Sequence, residues 1–163
     1  MRYNKIRKMD ISDGPGVRVS IFMQGCEFHC KNCFNQDTHD FNGGKEFTQD
    51  TIDRVLELGE NENIKGLSIL GGEPMHPKNI EGTTKLAKAF KEKFPNKTVW
   101  VWSGFLFDKN LKGKDVLNYV DVLVDGQYVD QLHNPQLEWK GSSNQRVIDV
   151  QQSLKNKNVT LFN

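Results

Sequence analysis

The chain has 163 residues, 36% hydrophobic and 26% charged, with a formal net charge of +1. That length fits one domain over 1–163 with a core that needs no disulfide staples, and the mixture is that of a globular protein rather than a disordered or membrane one. The balanced charge argues against nucleic-acid binding, and no apolar run approaches the ~20 residues of a membrane span. The start, MRYNKIRKMDISDG, is basic but lacks the apolar stretch of a secretory signal, so a cytoplasmic location with reduced thiols is expected.

In chain order, DGPGVR at 13–18 predicts a type II turn at Pro15-Gly16. Val17, Val19, Ile21 and Met23 alternate with Arg18, Ser20, Phe22 and Gln24, a strand pattern. Next comes GCEFHCKNCFN, which holds all three cysteines, Cys26, Cys30 and Cys33. Thr48 is a candidate helix N-cap, followed by Ile52, Val55 and Leu56 on one face and Gly59 as the stop. GLSIL at 66–70 predicts a strand running into GGEP. From Asn79 to Phe94, Thr83, Leu86, Ala87, Phe90 and Phe94 form the apolar stripe of a helix, with its lysines mostly off that stripe. TVWVW at 98–102 and VDVLV at 120–124 predict two further strands. A helix is expected around Val147, Val150 and Leu154, with NVTLF as a final strand.

Strand, loop and helix in alternation predict an α/β fold with a mostly parallel sheet. Such sheets carry their sites at the carboxyl ends of the strands. The cysteine loop, GGEP, Ser103-Gly104 and Asp125-Gly126 all follow strands, so one rim should gather them.

Three cysteines within eight residues of a polar loop point to ligation, because packed cysteines scatter. A zinc site of Cys₃His type could draw on His29 or His39. A redox pair Cys30–Cys33 lacks a thioredoxin-like context. An iron–sulfur cubane normally takes four cysteines, so three leave one iron open to another ligand. The cysteines alone do not separate zinc from cluster. Gly71 and Gly72 at a strand end expose backbone to a ligand, and Glu73 adds a carboxylate, or its backbone carbonyl, suited to a cationic amine. Together with the cysteine loop, that second element favours the cluster.

CEFHCKNC matches the CxxxCxxC pattern of the radical S-adenosylmethionine enzymes, and GGEP resembles their amine-binding motif. DGPGVR, GGEPMHP, VWVWSGF, DVLVDGQY and WKGSSNQRVID, in that order, narrow the resemblance to the family of activating enzymes of the anaerobic ribonucleoside-triphosphate reductase. The resemblance implies a small incomplete (βα) barrel of the radical S-adenosylmethionine type. Cys26, Cys30 and Cys33 would hold three irons of a [4Fe–4S] cluster, and S-adenosyl-L-methionine would chelate the fourth. Gly71, Gly72 and Glu73 would position the methionyl amine, and the Asn32–Cys33–Phe34 segment would meet the adenosine. Ser103 and Asp125 are further candidates for the methionyl or ribose end. Many superfamily members place an aromatic immediately before the last cysteine, where this chain has Asn32.

The same resemblance implies an oxidoreductase. Reductive cleavage of S-adenosylmethionine would yield a 5′-deoxyadenosyl radical, which would create a glycyl radical on the large reductase subunit. The electron would come from a low-potential donor such as flavodoxin or ferredoxin. No general base is required, and His29, His39, His76 and His133 read as isolated surface or loop residues. The long irregular stretch 126–145, with Tyr128 and Trp139, is a candidate docking loop for the reductase, although Trp139 could equally pack on the core. The rivals are an activase of pyruvate formate-lyase, a deazaguanine-forming synthase, and a zinc-stabilised interaction domain.

Overall fold

The computed structural model describes residues 1–163. Seven strands form one mixed sheet: β1 (Arg2–Asp10), β2 (Val17–Gln24), β3 (Lys45–Glu46), β4 (Ile64–Gly71), β5 (Thr98–Ser103), β6 (Val122–Asp125) and β7 (Arg146–Asp149). Their spatial order is β3-β1-β2-β4-β5-β6-β7. The run β2-β4-β5-β6 is parallel, while β1, β3 and β7 join antiparallel at the sides. Three helices complete the α/β arrangement: α1 (Gln49–Gly59), α2 (Ile80–Lys93) and α3 (Val150–Asn156). No helix is long and apolar enough to cross a membrane.

The period-two pattern of β2 reflects two different faces. Ile21, Ile69, Val101, Leu123 and Ile148 lie in register across five strands and are all fully buried. Val55 of α1 and Leu86, Ala87 and Phe90 of α2 cover that face and join it in one core. The opposite face carries the row Ser20, Ser68, Trp100, Val122 and, beyond it, Phe22 and Leu70. Arg18 is fully buried at its lower end and donates to Ser68 Oγ, Thr98 Oγ1 and the Pro15, Leu67 and Thr98 carbonyls, all neutral acceptors. These bonds tie the Gly14–Val17 turn, where Gly16 has φ +75°, onto the sheet.

The helix ends follow local chemistry. Thr48 caps α1, and its N–H donates to Thr51 Oγ1 at 3.0 Å. Asn79 holds the N-cap position of α2 without a side-chain capping bond, and the helix ends before Pro95. Three expectations are corrected. Strand β1 went unpredicted because RYNKIRKMD is too basic to read as a strand; those charges suit a strand with one largely open edge, and Lys5 and Arg7 lie over the Phe22 ring. The helix around Val147 starts only at Val150, because pairing of Ile148 with Leu123 claims the preceding residues for β7. NVTLF forms no full strand, only a single bridge between Leu161 and Ile148. Between β5 and β6 the crossover carries a 3-10 turn at Asp115–Tyr119 in place of an α-helix.

Candidate metal and cofactor site

The carboxyl ends of the parallel strands open onto a cavity of about 720 Å³. Cys26, Cys30, Cys33 and Phe34 line one wall, Gly71, Gly72 and Glu73 another, with Ser103 and Gly104 beside them. Tyr128, Trp139 and Gly141 approach from the irregular stretch, and Arg7 and Asp13 from the β1–β2 side. The parallel topology therefore collects at one rim the residues that follow β2, β4, β5 and β6.

The cysteine loop is seated by backbone. Gly25 N donates to Thr38 O at 2.6 Å, Cys26 N to His39 O at 3.1 Å, and Glu73 N to Gly25 O at 2.8 Å. Gly71 has φ +115°, and a Cβ there would lie 2.5 Å from the Met23 amide nitrogen. A Cβ at Gly72 would lie 2.5 Å from Gly25 O and 2.7 Å from Thr38 O. The glycines are thus required for β4 to reach the cysteine loop, a packing reason that the sequence reading did not supply. Asn79 Nδ2 ties the two together from beneath, donating to Gln24 O and Glu73 O. Gln24 Nε2 holds the Asp37 and Asp40 carbonyls. Asn79 and Gln24 were missed because buried amides bonded mostly to distant backbone leave no spacing pattern.

Glu73 is 1% exposed. Its carboxylate accepts from Gly104 N at 2.6 Å, Ser103 Oγ at 2.7 Å and Met75 N at 2.8 Å. Burial nevertheless pushes its pKa up to about 7, against these three donors. Three of roughly four acceptor positions on the carboxylate are thereby filled. Ser103 therefore braces Glu73, and Asp125 is fully buried against Arg146, accepting from Nε at 3.0 Å and Nη2 at 2.6 Å. At the β1–β2 turn, burial and a hydrogen bond to Asp10 raise Asp13 to about 7. Asp10, although burial opposes its ionisation, is held below the usual carboxylate range by hydrogen bonds from Asp13, Ser20 and Ser12.

All three thiols are free. Burial raises Cys26 and Cys30, and nearby amides partly counter it: those of Phe28 and His29 at Cys26, that of Tyr128 at Cys30. Asn35 N donates to Cys33 Sγ at 3.4 Å. His39 Nε2, beside this loop, is buried without a hydrogen-bond partner. Three thiols on one cavity wall, each approached by backbone N–H, fit the demands of an iron–sulfur cluster. No three His, Cys, Asp or Glu side chains, these cysteines included, converge at the distances of a single metal ion. His29 and His39 instead face each other through Nδ1 atoms 3.2 Å apart.

The reading of four isolated histidines is corrected accordingly. His76 is buried and meets Glu27 Oε1 at 2.8 Å, and the His133 ring packs against Phe34 and Tyr128. Of the proposed cofactor contacts, Phe34, Gly71, Gly72, Glu73 and the cysteines share the cavity. Asn32 stands apart, its side chain donating to Asp130 Oδ2 at 3.1 Å. Trp139 has φ +66° and packs edge-on against Trp100, while its carbonyl accepts from Trp102 Nε1 at 2.7 Å. It both packs on the sheet and lines the cavity.

Residues 12–148 match the family model described as a 4Fe-4S single cluster domain. The chain is 38% identical over 148 residues to the anaerobic ribonucleoside-triphosphate reductase-activating protein of Vibrio cholerae serotype O1, covering 89% of this chain and 96% of that protein. It is 38% identical over 150 residues to the protein of that name from Escherichia coli K12, covering 90% and 97%. The counterpart in Enterobacteria phage T4 is 37% identical over 147 residues, covering 90% and 93%.

Proposed function

The chain belongs to the family of anaerobic ribonucleoside-triphosphate reductase-activating proteins, and on that premise we propose that it installs a glycyl radical on the large subunit of that reductase. The observation that carries the reading is the shared wall of Cys26, Cys30 and Cys33, with no fourth cysteine in the chain, facing the Gly71–Glu73 strand end. When bound, a [4Fe–4S] cluster held by Cys26, Cys30 and Cys33 would supply the electron for cleaving S-adenosyl-L-methionine to methionine and a 5′-deoxyadenosyl radical, the species that would take hydrogen from a glycine of the reductase.

The chain's own residues bind, orient and shield. The three cysteines hold the metal and lose their protons in doing so, which burial of Cys26 and Cys30 makes pH-dependent. Glu73, held rigidly by Ser103 and Gly104, offers its remaining acceptor position to the methionyl amine. An ammonium there favours the ionised carboxylate, so cofactor binding releases a proton that the empty site retains. Gly71 and Gly72 bring β4 and the cysteine loop together. Phe34, 72% exposed and tilted 5.6 Å from Tyr128, supplies the aromatic surface for adenosine that Asn32 lacks. The remaining cavity, bordered by 126–145, admits the glycine-bearing segment of the reductase.

Helices on one face of the sheet, and a site on the rim of strands whose edges β3 and β7 do not pair, support an incomplete (βα) barrel comprising residues 1–163 as one domain. Free thiols suit the reducing cytoplasm, where flavodoxin or ferredoxin would supply the electron.

The test mixes the anaerobically reconstituted protein with S-adenosylmethionine, a low-potential reductant and the reductase. A glycyl doublet in the electron paramagnetic resonance spectrum is expected, together with 5′-deoxyadenosine. Cys30→Ala should lose bound iron, colour and both products. A colourless zinc protein, or undiminished cleavage by Cys30→Ala, would end this reading.

A further inference from the structure

Between Cys30 and Cys33 the chain turns sharply: Cys33 N donates to Cys30 O at 3.1 Å, and Asn32 occupies the left-handed region at φ +56°. Asparagine tolerates that conformation, but its side chain is not used locally. It crosses to the 126–145 stretch, where Asp130 Oδ2 accepts from Asn32 Nδ2 at 3.1 Å. The other oxygen, Asp130 Oδ1, accepts from the Tyr128 hydroxyl at 3.0 Å. One carboxylate therefore joins two loops that lie 98 positions apart in the sequence. Tyr128 in turn packs its ring on Phe34 of the cysteine loop. Within that loop Asn35 N donates to Cys33 Sγ at 3.4 Å, one residue beyond the clamped Asn32.

The rest of the stretch is closed on itself. Ser143 N donates to Leu132 O, Val129 N to Ser142 Oγ, and His133 pairs with Ser142. It behaves as a strap whose polar attachment to the cysteine turn is Asp130.

We propose that Asp130 is a positioning residue, which clamps the cysteine turn through Asn32 and so keeps the Cys33 sulfur at the Asn35 amide. The inference rests on the cluster reading of Cys26, Cys30 and Cys33. N–H groups directed at cluster sulfurs raise a cluster's reduction potential, as does lost negative charge nearby. The two effects can be separated. Asp130→Asn removes the charge, yet an amide can still accept from Asn32 and donate to the Tyr128 oxygen. Asp130→Ala removes charge and clamp together. Asn32→Gly removes the clamp from the other side, keeps the charge, and tolerates the positive φ.

The measurement is the midpoint potential of the reconstituted protein, read from the reduced-cluster paramagnetic signal during a redox titration. Iron content and thermal unfolding are followed on the same samples. Asn32→Gly is expected to bind iron normally and to show about a tenfold lower ratio of reduced to oxidised cluster at fixed poise, about 59 mV for one electron. Asp130→Ala should lie below Asp130→Asn by a similar amount, and adding Asn32→Gly to Asp130→Ala should cause no further fall. If Asp130→Ala does not fold, Asn32→Gly at its exposed position carries the test alone. Potentials equal to wild type in Asn32→Gly, or equal in the Ala and Asn variants, would overturn the clamp while leaving the cluster reading intact. A wild-type protein without iron would overturn both.

Discussion

Glu73 makes the folding stability of the cluster-free chain fall as the pH rises. In the unfolded chain this carboxyl has an ordinary value near 4.5, whereas burial pushes it up to about 7 in the fold. The native state therefore binds more protons than the unfolded state between these values. The contribution is complete below pH 4.5, shrinks as the pH climbs, and is gone above about 7. At 1.36 kcal/mol per pH unit the whole effect is about 3 kcal/mol, of which roughly 2–3 kcal/mol falls between pH 5 and 8. Asp13 works in the same direction, rising from 3.8 to about 7, so the wild-type slope is not due to Glu73 alone. Comparison with Glu73→Gln isolates it. Urea denaturation of both proteins across this range, with constant m values, should show wild type losing roughly 2–3 kcal/mol relative to the variant. Parallel pH profiles for the two proteins would refute the assignment of a buried, proton-retaining carboxyl.

Three other outcomes are expected. Arg146→Ala leaves the fully buried Asp125 with only the Phe107 amide as partner and should cost about 3–5 kcal/mol in denaturant unfolding. Gly72→Ala forces a methyl against the Gly25 and Thr38 carbonyls, costing about 1–3 kcal/mol and lowering iron content after reconstitution, measured by iron assay. S-adenosylmethionine binding to the cluster-loaded protein near pH 6 should release protons, seen in calorimetry as a heat that varies with buffer ionisation enthalpy; Glu73→Gln should abolish that dependence.

The sequence alone determined the parts that rest on local pattern. Alternation in β2, apolar spacing in α1 and α2, and the cap Thr48 are nearest-neighbour properties of a chain, so they could be read directly. The same was true of the cysteine spacing and the GGEP turn, because ligands from one loop must lie close in sequence. Tertiary structure decided what depends on partners distant in the chain. Only pairing with β2 turns the basic RYNKIRKMD into a strand, and only pairing with β6 keeps Arg146–Asp149 extended rather than helical. Glu73 looked like a free carboxylate until β5 brought Ser103 and Gly104 to it, and Asn32 looked like a poor adenine contact until Asp130 met it from the far side of the site. Desolvation and long-range hydrogen bonds are properties of an enclosed space, and no stretch of residues read in order encloses one.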